Sequence, residues 1–219
     1  MPTPDTRDET SINSTTLGLG LPLLWTVLLI TVSQLAYTWF HSLAELFTVV
    51  IGISLYLVAV QTFTFNSNRY LLIVAVGFFW SSVIDIFHTL TYEGMGHASS
   101  YPPDTPPLLW MCARSLQVTA FLVAPIWART TWPAKYAFAG FGVAGVVMTA
   151  AVFEGLMPVA WIAGTGLTPF KIAWEWLLIG GYCIAALQLA QDKDHAKHSV
   201  RNALLLVMAL GVATELCFT

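Results

Sequence analysis

Charged residues are scarce: Asp, Glu, Lys and Arg make up 10% of the 219 residues, where a soluble domain carries roughly 25%. The apolar set reaches 57% and the mean hydropathy is +0.71. One core of this length cannot hide that much apolar surface from water, so an ordinary water-soluble domain is excluded and a lipid bilayer is the natural solvent. Basic residues are few as well. A formal charge of −3 with no basic stripe gives no footing for a nucleic-acid partner. Cysteine is sparse and odd in number: Cys112, Cys183 and Cys217 each sit in an apolar run and form no CxxC pair, which argues against a disulfide framework or a zinc ribbon and for small packing residues. The first sixteen residues lack the basic start of a signal peptide, and no small-residue cleavage site follows the first apolar run. They are expected to be a short disordered tail. Catalytic signatures are missing too, since the chain holds no phosphate loop, no Ser nucleophile elbow and no HExxH.

What the chain has is long apolar runs. A membrane span needs roughly 20 mostly apolar residues, and about seven stretches qualify, near residues 17–40, 41–63, 70–92, 108–127, 135–153, 169–190 and 200–219. Polar or Gly/Pro-rich segments separate the later ones: Asn66 to Arg69, a loop from Gly94 to Pro107, a second Gly/Pro-rich loop before Pro169, and a charged turn from Asp192 to His198. Only helices and closed barrels satisfy the backbone inside lipid. Runs this uniformly apolar lack the alternation of a barrel strand. The expected fold is therefore all-α, a polytopic transmembrane helical bundle.

The basic residues set the orientation. Arg7, Arg69, Arg129, Lys135, Lys193, Lys197 and Arg201 fall on one side of such a bundle, and only Lys171 falls on the other. The N-terminus is accordingly expected in the cytoplasm of a cell whose inner membrane the chain crosses. Seven spans from there leave Thr219 outside and within an apolar run, so an eighth span is expected to follow.

Ionisable residues inside these runs carry the functional signal. Each costs roughly 2.5–3.5 kcal/mol on insertion scales, so they must pair, be neutralised or line water. Glu45, Asp85, His88, Arg114, Glu175 and Glu215, with His41 and Lys171 near the boundary, all map to the outer half of their spans. Helical spacing puts His41 with Glu45 on one face, Asp85 with Ser81, His88 and Tyr92 on another, Trp110 with Arg114 and Gln117 on a third, and Lys171 with Glu175 on a fourth. Glu45, Asp85, Glu175 and Glu215 exceed Arg114 and Lys171 by two charges. That excess calls for a cation, a metal or shared protons, unless the groups form a self-satisfied network that only fixes packing. HxxxE and DxxH can each offer two metal ligands, which makes Glu45, Asp85 and His88 the candidate metal set. His97, His195 and His198 read as solvated loop residues. Trp25, Trp39, Trp110, Trp127, Trp132 and Trp161 lie near span ends as an aromatic belt does, and Trp174 and Trp176 flank Glu175.

Against this background a family pattern is visible. Asp85-Ile-Phe-His-Thr-Leu-Thr-Tyr-Glu-Gly-Met95 closely resembles a hallmark of the third type of bacterial membrane-associated sensor domains. Glu45-Leu-Phe, Trp110-Met-Cys-Ala-Arg114, Gly166-Leu-Thr-Pro-Phe-Lys-Ile-Ala-Trp-Glu175 and Glu215-Leu-Cys-Phe-Thr219 match further pieces in order. The resemblance covers residues 17–219. It implies an N-terminal sensory module, with sequence beyond Thr219, joined to a cytoplasmic histidine kinase, diguanylate cyclase or related output. It supplies no ligand.

The leading expectation is thus the input module of a signalling receptor. It would respond to a ligand, cation or proton through His41, Glu45, Asp85, His88, Tyr92, Trp110, Arg114, Lys171, Glu175 and Glu215, with lipid and an output domain as partners and a homodimer left open. Two rivals stand beside it. A transporter or proton channel would need polar residues at every depth or inverted repeats, and neither is evident. An intramembrane metal-dependent hydrolase would need a metal and a water-accessible nucleophile.

Overall fold

The computed structural model describes residues 20, 23–93, 101–191 and 198–218. The expected tail, the 94–100 part of the long loop with His97, the charged turn at 192–197 with His195, and Thr219 lie outside the described residues. Seven helices are present among those described: α1 (Leu23–Leu35), α2 (Tyr37–Asn66), α3 (Arg69–Thr91), α4 (Thr105–Ala128), α5 (Ala134–Phe153), α6 (Pro169–Gln191) and α7 (His198–Cys217). Six are long and apolar enough to cross a membrane, and α1 is shorter. The fold is an all-α bundle. Its one departure is a hairpin between α5 and α6 of β1 (Trp161–Ile162) and β2 (Gly166–Leu167), antiparallel, with Trp161 opposite Leu167. Gly164 and Gly166 take φ of 85° and 86° there, which a residue with a Cβ adopts only under strain.

The chain divides into two compact units, Met1–Glu45 and Leu46–Thr219, with the boundary inside α2. In the first unit, α1 passes to α2 through Ala36 alone. Ala36 N donates to Val32 O at 2.9 Å and Phe40 N to Ala36 O at 3.1 Å, so helical hydrogen bonds continue across the junction. The sequence reading started the second span at His41 or Ser42. The helix starts earlier because residues 36–42 hold no Gly, Pro, Asn or Asp to stop it; the polar His41 simply lies within α2.

In the second unit α3 and α4 form the centre. They pack on each other and on α5, α4 also packs on α6, and α6 packs on α7. Asn68 caps α3, its side chain accepting from Leu71 N at 3.0 Å. Helix α4 begins at Thr105, ahead of the start expected at Leu108. Pro106 and Pro107 occupy its first turn, where a missing N–H costs nothing and the fixed φ suits a helix. Hydroxyls inside the spans bond back to carbonyls of their own helices, as in Thr89 Oγ1 to Asp85 O and Ser115 Oγ to Met111 O, at 2.8 and 2.7 Å. That satisfies these hydroxyls inside the bundle, where no water is at hand.

Close packing at the centre depends on Gly77. A Cβ there would stand 2.2 Å from Ala120 Cβ, so α3 and α4 would have to move apart. Gly77→Ala is expected to cost about 1–3 kcal/mol, the usual range for overpacking. Gly140→Ala, where a Cβ meets nothing within 4 Å, should be neutral or gain up to about 1 kcal/mol of helix propensity. Thermal melting of the two purified variants beside wild type checks this; equal melting for all three would mean the helices are not in contact at Gly77.

Candidate functional site

At one end of the second unit meet the end of α3, the start of α4, the start of α6 and the end of α7. Local structure sets the angle of each element. Thr168 caps α6: Lys171 N donates to its Oγ1 at 3.3 Å and Ile172 N to its carbonyl at 3.1 Å. Lys171 is thereby held in the first turn of α6 and Glu175 one turn on. The α3–α4 loop is tied to the hairpin by Asp104, whose carboxylate accepts from Ala160 N at 2.9 and 3.1 Å and from Trp161 N at 2.6 Å. His88 Nδ1–H donates to the Pro106 carbonyl at 2.8 Å, which fastens the last turn of α3 to the first turn of α4.

Within this frame the ionisable groups converge. Arg114 Nη2 lies 3.5 Å from Asp85 Oδ2, bridging α4 to α3. Lys171 Nζ pairs with Glu175 along α6. The Trp110 ring centre lies 5.5 Å from Arg114 Cζ and 5.2 Å from Lys171 Nζ, distances at which the ring face attracts positive charge. Phe218 packs on Trp110 at 5.1 Å. Glu215, on α7, interacts electrostatically with Arg114, Glu175 and Lys171. His88 does so with Asp85 and Arg114, and its ring meets Tyr92 edge-on at 6.2 Å. Burial is nearly complete, with Glu175 and Glu215 at 0% exposure, Asp85 at 2% and Lys171 at 4%. Among the described residues this cluster sets three carboxylates against two cations.

A second polar layer lies beneath. Gln117 Nε2 donates to Ser81 Oγ at 2.8 Å, and Tyr182 O–H donates to Gln117 Oε1 at 3.4 Å. Trp174 Nε1–H donates to Ser115 Oγ at 3.0 Å, so Trp174 walls the site while Trp176 is exposed.

Eight of the ten residues singled out in the sequence come together here: Asp85, His88, Tyr92, Trp110, Arg114, Lys171, Glu175 and Glu215. His41 and Glu45 lie one turn apart on α2 in the first unit. Two residues belong more deeply to the site than their sequence positions suggested. Lys171, in the first turn of α6, is buried among Glu175, Trp110 and Phe218. Trp110 is buried, with both cations close to its ring. Asp104, Ser115 and Tyr182 were not singled out. Asp104 directly precedes a Thr-Pro-Pro helix start, the place where an acidic residue commonly caps. Here its side chain makes no cap bond and serves the hairpin instead.

Chemically, the arrangement holds acceptors that the protein leaves open. Asp85 Oδ1 and Glu175 Oε2 are buried and have no hydrogen-bond partner among the described residues, which is uncommon for buried polar atoms. With Nδ1 of His88 donating to a carbonyl, Nε2 carries the lone pair of the neutral ring. Asp85 and His88, which interact electrostatically, each offer an atom able to bind a proton or a metal.

Comparison with curated proteins and with solved structures finds no match. A family model described as MASE3, membrane-associated sensor domain, matches residues 32–219, a stretch that includes all ten candidate residues and both layers of the polar site. A sensor domain is an input element of signalling. The chain belongs to the MASE3 family of membrane-associated sensor domains.

Proposed function

We propose that this chain is the membrane-embedded input module of a bacterial receptor, and that its buried cluster is the sensing site. The observation that carries this reading is the convergence of Asp85, Glu175 and Glu215 with Arg114, Lys171 and His88 from four helices at one end of the unit, with Asp85 Oδ1 and Glu175 Oε2 lacking a hydrogen-bond partner among the described residues. Intramembrane ionisable groups are expensive and mark function by default. Occupancy of the cluster by a proton or a cation would favour one packing of the four helices over another, and a stimulus shifts such an equilibrium only by its differential affinity for the two states. Metal ligation by Asp85 and His88 is the cation form of the same proposal. The output is a histidine kinase or diguanylate cyclase in the whole receptor, acting in the cytoplasm below the inner membrane.

The test uses the full-length receptor with its own output activity as readout. Asp85→Asn and His88→Gln keep size and hydrogen bonding but remove titration and weaken ligation. Both are expected to insert and accumulate normally and to abolish the response of the output to changes of pH and divalent cation. A retained response in both variants would refute the sensing role.

Orientation follows from the basic residues. Arg69, Arg129 and Lys135 lie at the end opposite the cluster, which supports an outer position for the cluster. In a background lacking the three native cysteines, Tyr101→Cys is expected to react with an impermeant maleimide on whole cells, and Thr131→Cys only after permeabilisation. The reverse pattern would put the sensing site at the cytoplasmic face.

A further inference from the structure

At the other end of the same unit, where α4 and α6 finish, a half-open cavity of about 360 Å³ is lined by Pro125, Ile126, Arg129, Gln188 and Gln191. Its residues take no part in the cluster described above. Three features give it a chemistry. Arg129 is exposed, and among the described residues no carboxylate forms an ion pair with it. Gln188 Oε1 is buried and accepts no hydrogen bond among the described residues. Pro125 sits inside α4 and cannot donate to the carbonyl of Phe121, so the helix loses one bond beside the cavity.

The level of the cavity is fixed by its neighbours. It lies where two apolar spans end, beside Trp127 and Trp132, whose rings pack edge-on at 5.5 Å. Paired aromatic rings and basic side chains at a span end mark the headgroup layer of a bilayer. Arg69 is already engaged, donating to the Trp132 carbonyl, and thereby braces the α4–α5 turn against the start of α3. Arg129 is the cation that the cavity itself presents.

We propose that this cavity binds the phosphate of a phospholipid headgroup, with the Arg129 guanidinium on the phosphate oxygens, the amides of Gln188 and Gln191 on the polar remainder, and the acyl chains running down the exposed face of α4 at Ile126. A guanidinium matches two phosphate oxygens at once, and the neutral amides accommodate a headgroup donor or acceptor without adding charge. The same phosphate chemistry exists in a soluble anion, and the two sources are separable by experiment.

The test is native mass spectrometry of the full-length chain released from membranes in mild detergent, followed by add-back of short-chain phosphatidylglycerol or phosphatidylethanolamine and, separately, of millimolar inorganic phosphate. Wild type is expected to retain one phospholipid per chain. Arg129→Gln should retain about fivefold less, the effect of one basic contact at a membrane surface. Gln188→Leu, which keeps the bulk and removes the amide, should lower retention by an independent route. Lys135→Gln alters a basic residue at the same end that does not line the cavity, and should stay within about twofold of wild type. Added phospholipid, but not phosphate, should raise the melting temperature of wild type and not of Arg129→Gln. Unchanged retention in both cavity variants would overturn the proposal. An equal loss in Lys135→Gln would reduce it to general charge attraction, and displacement of the lipid by inorganic phosphate would reassign the site to a soluble anion.

Discussion

Arg114→Ala is expected to lower the stability of the protein by about 3–5 kcal/mol, the usual cost of removing one partner from a buried ion pair. Arg114 lies 3.5 Å from Asp85, and Asp85 is 2% exposed, so the carboxylate left behind cannot turn to water. Arg114 also interacts electrostatically with Glu215 and lies over the Trp110 ring, so one truncation removes support from three helices. The expected result is poor accumulation and a melting temperature well below that of wild type. Arg114→Lys keeps the charge without the planar fork and should fall between the two. Wild-type melting in Arg114→Ala would mean that the Asp85 contact contributes nothing in the membrane.

Glu215→Gln should act in the opposite sense on stability and just as strongly on function. With Asp85, Glu175 and Glu215 against Arg114 and Lys171, the cluster carries one carboxylate more than its cations balance, and Glu215 is 0% exposed on α7. An amide of the same shape removes the surplus charge, so melting should be unchanged or raised. If occupancy of the cluster by a proton or cation is what moves α7 relative to α4 and α6, the same variant should leave the receptor fixed in one output state. The paired readout matters: loss of response with intact melting indicates switching, whereas loss of both indicates packing. A Glu215→Gln receptor with normal melting and a normal response would remove Glu215 from the sensing site.

Much of this was legible in the sequence, for a physical reason. Lipid forces an apolar run into a helix, so depth and facing follow from counting residues. That is why Asp85, His88 and Arg114 could be placed near one end, and why Lys171 and Glu175, spaced i,i+4, could be paired in advance. Contacts between helices were not legible in the same way. The Asp85–Arg114 bridge depends on Gly77 letting α3 and α4 approach, and no spacing rule encodes that. Turn chemistry misled at two places. Pro106 and Pro107 read as loop yet begin α4, and His41 reads as a span boundary although nothing near it stops a helix. Asp104 was passed over because its partners, Ala160 and Trp161, are far away in the chain and belong to a two-residue hairpin that an all-helical reading does not anticipate.

Trp110 makes the central claim directly measurable, because Arg114 and Lys171 both approach its ring and its fluorescence reports the charge around it. Purified wild type, Asp85→Asn and His88→Gln would each be titrated with pH and then with divalent cation, following tryptophan emission, with bound metal measured in parallel. Trp110→Phe in each background identifies the Trp110 contribution. If the cluster is the sensing site, wild type shows a pH- or cation-dependent transition that is carried by Trp110 and is lost or displaced in both variants. Identical titrations in all three proteins, with no bound metal in any, would contradict the account and leave the cluster as an ion-pair network that only holds the helices together.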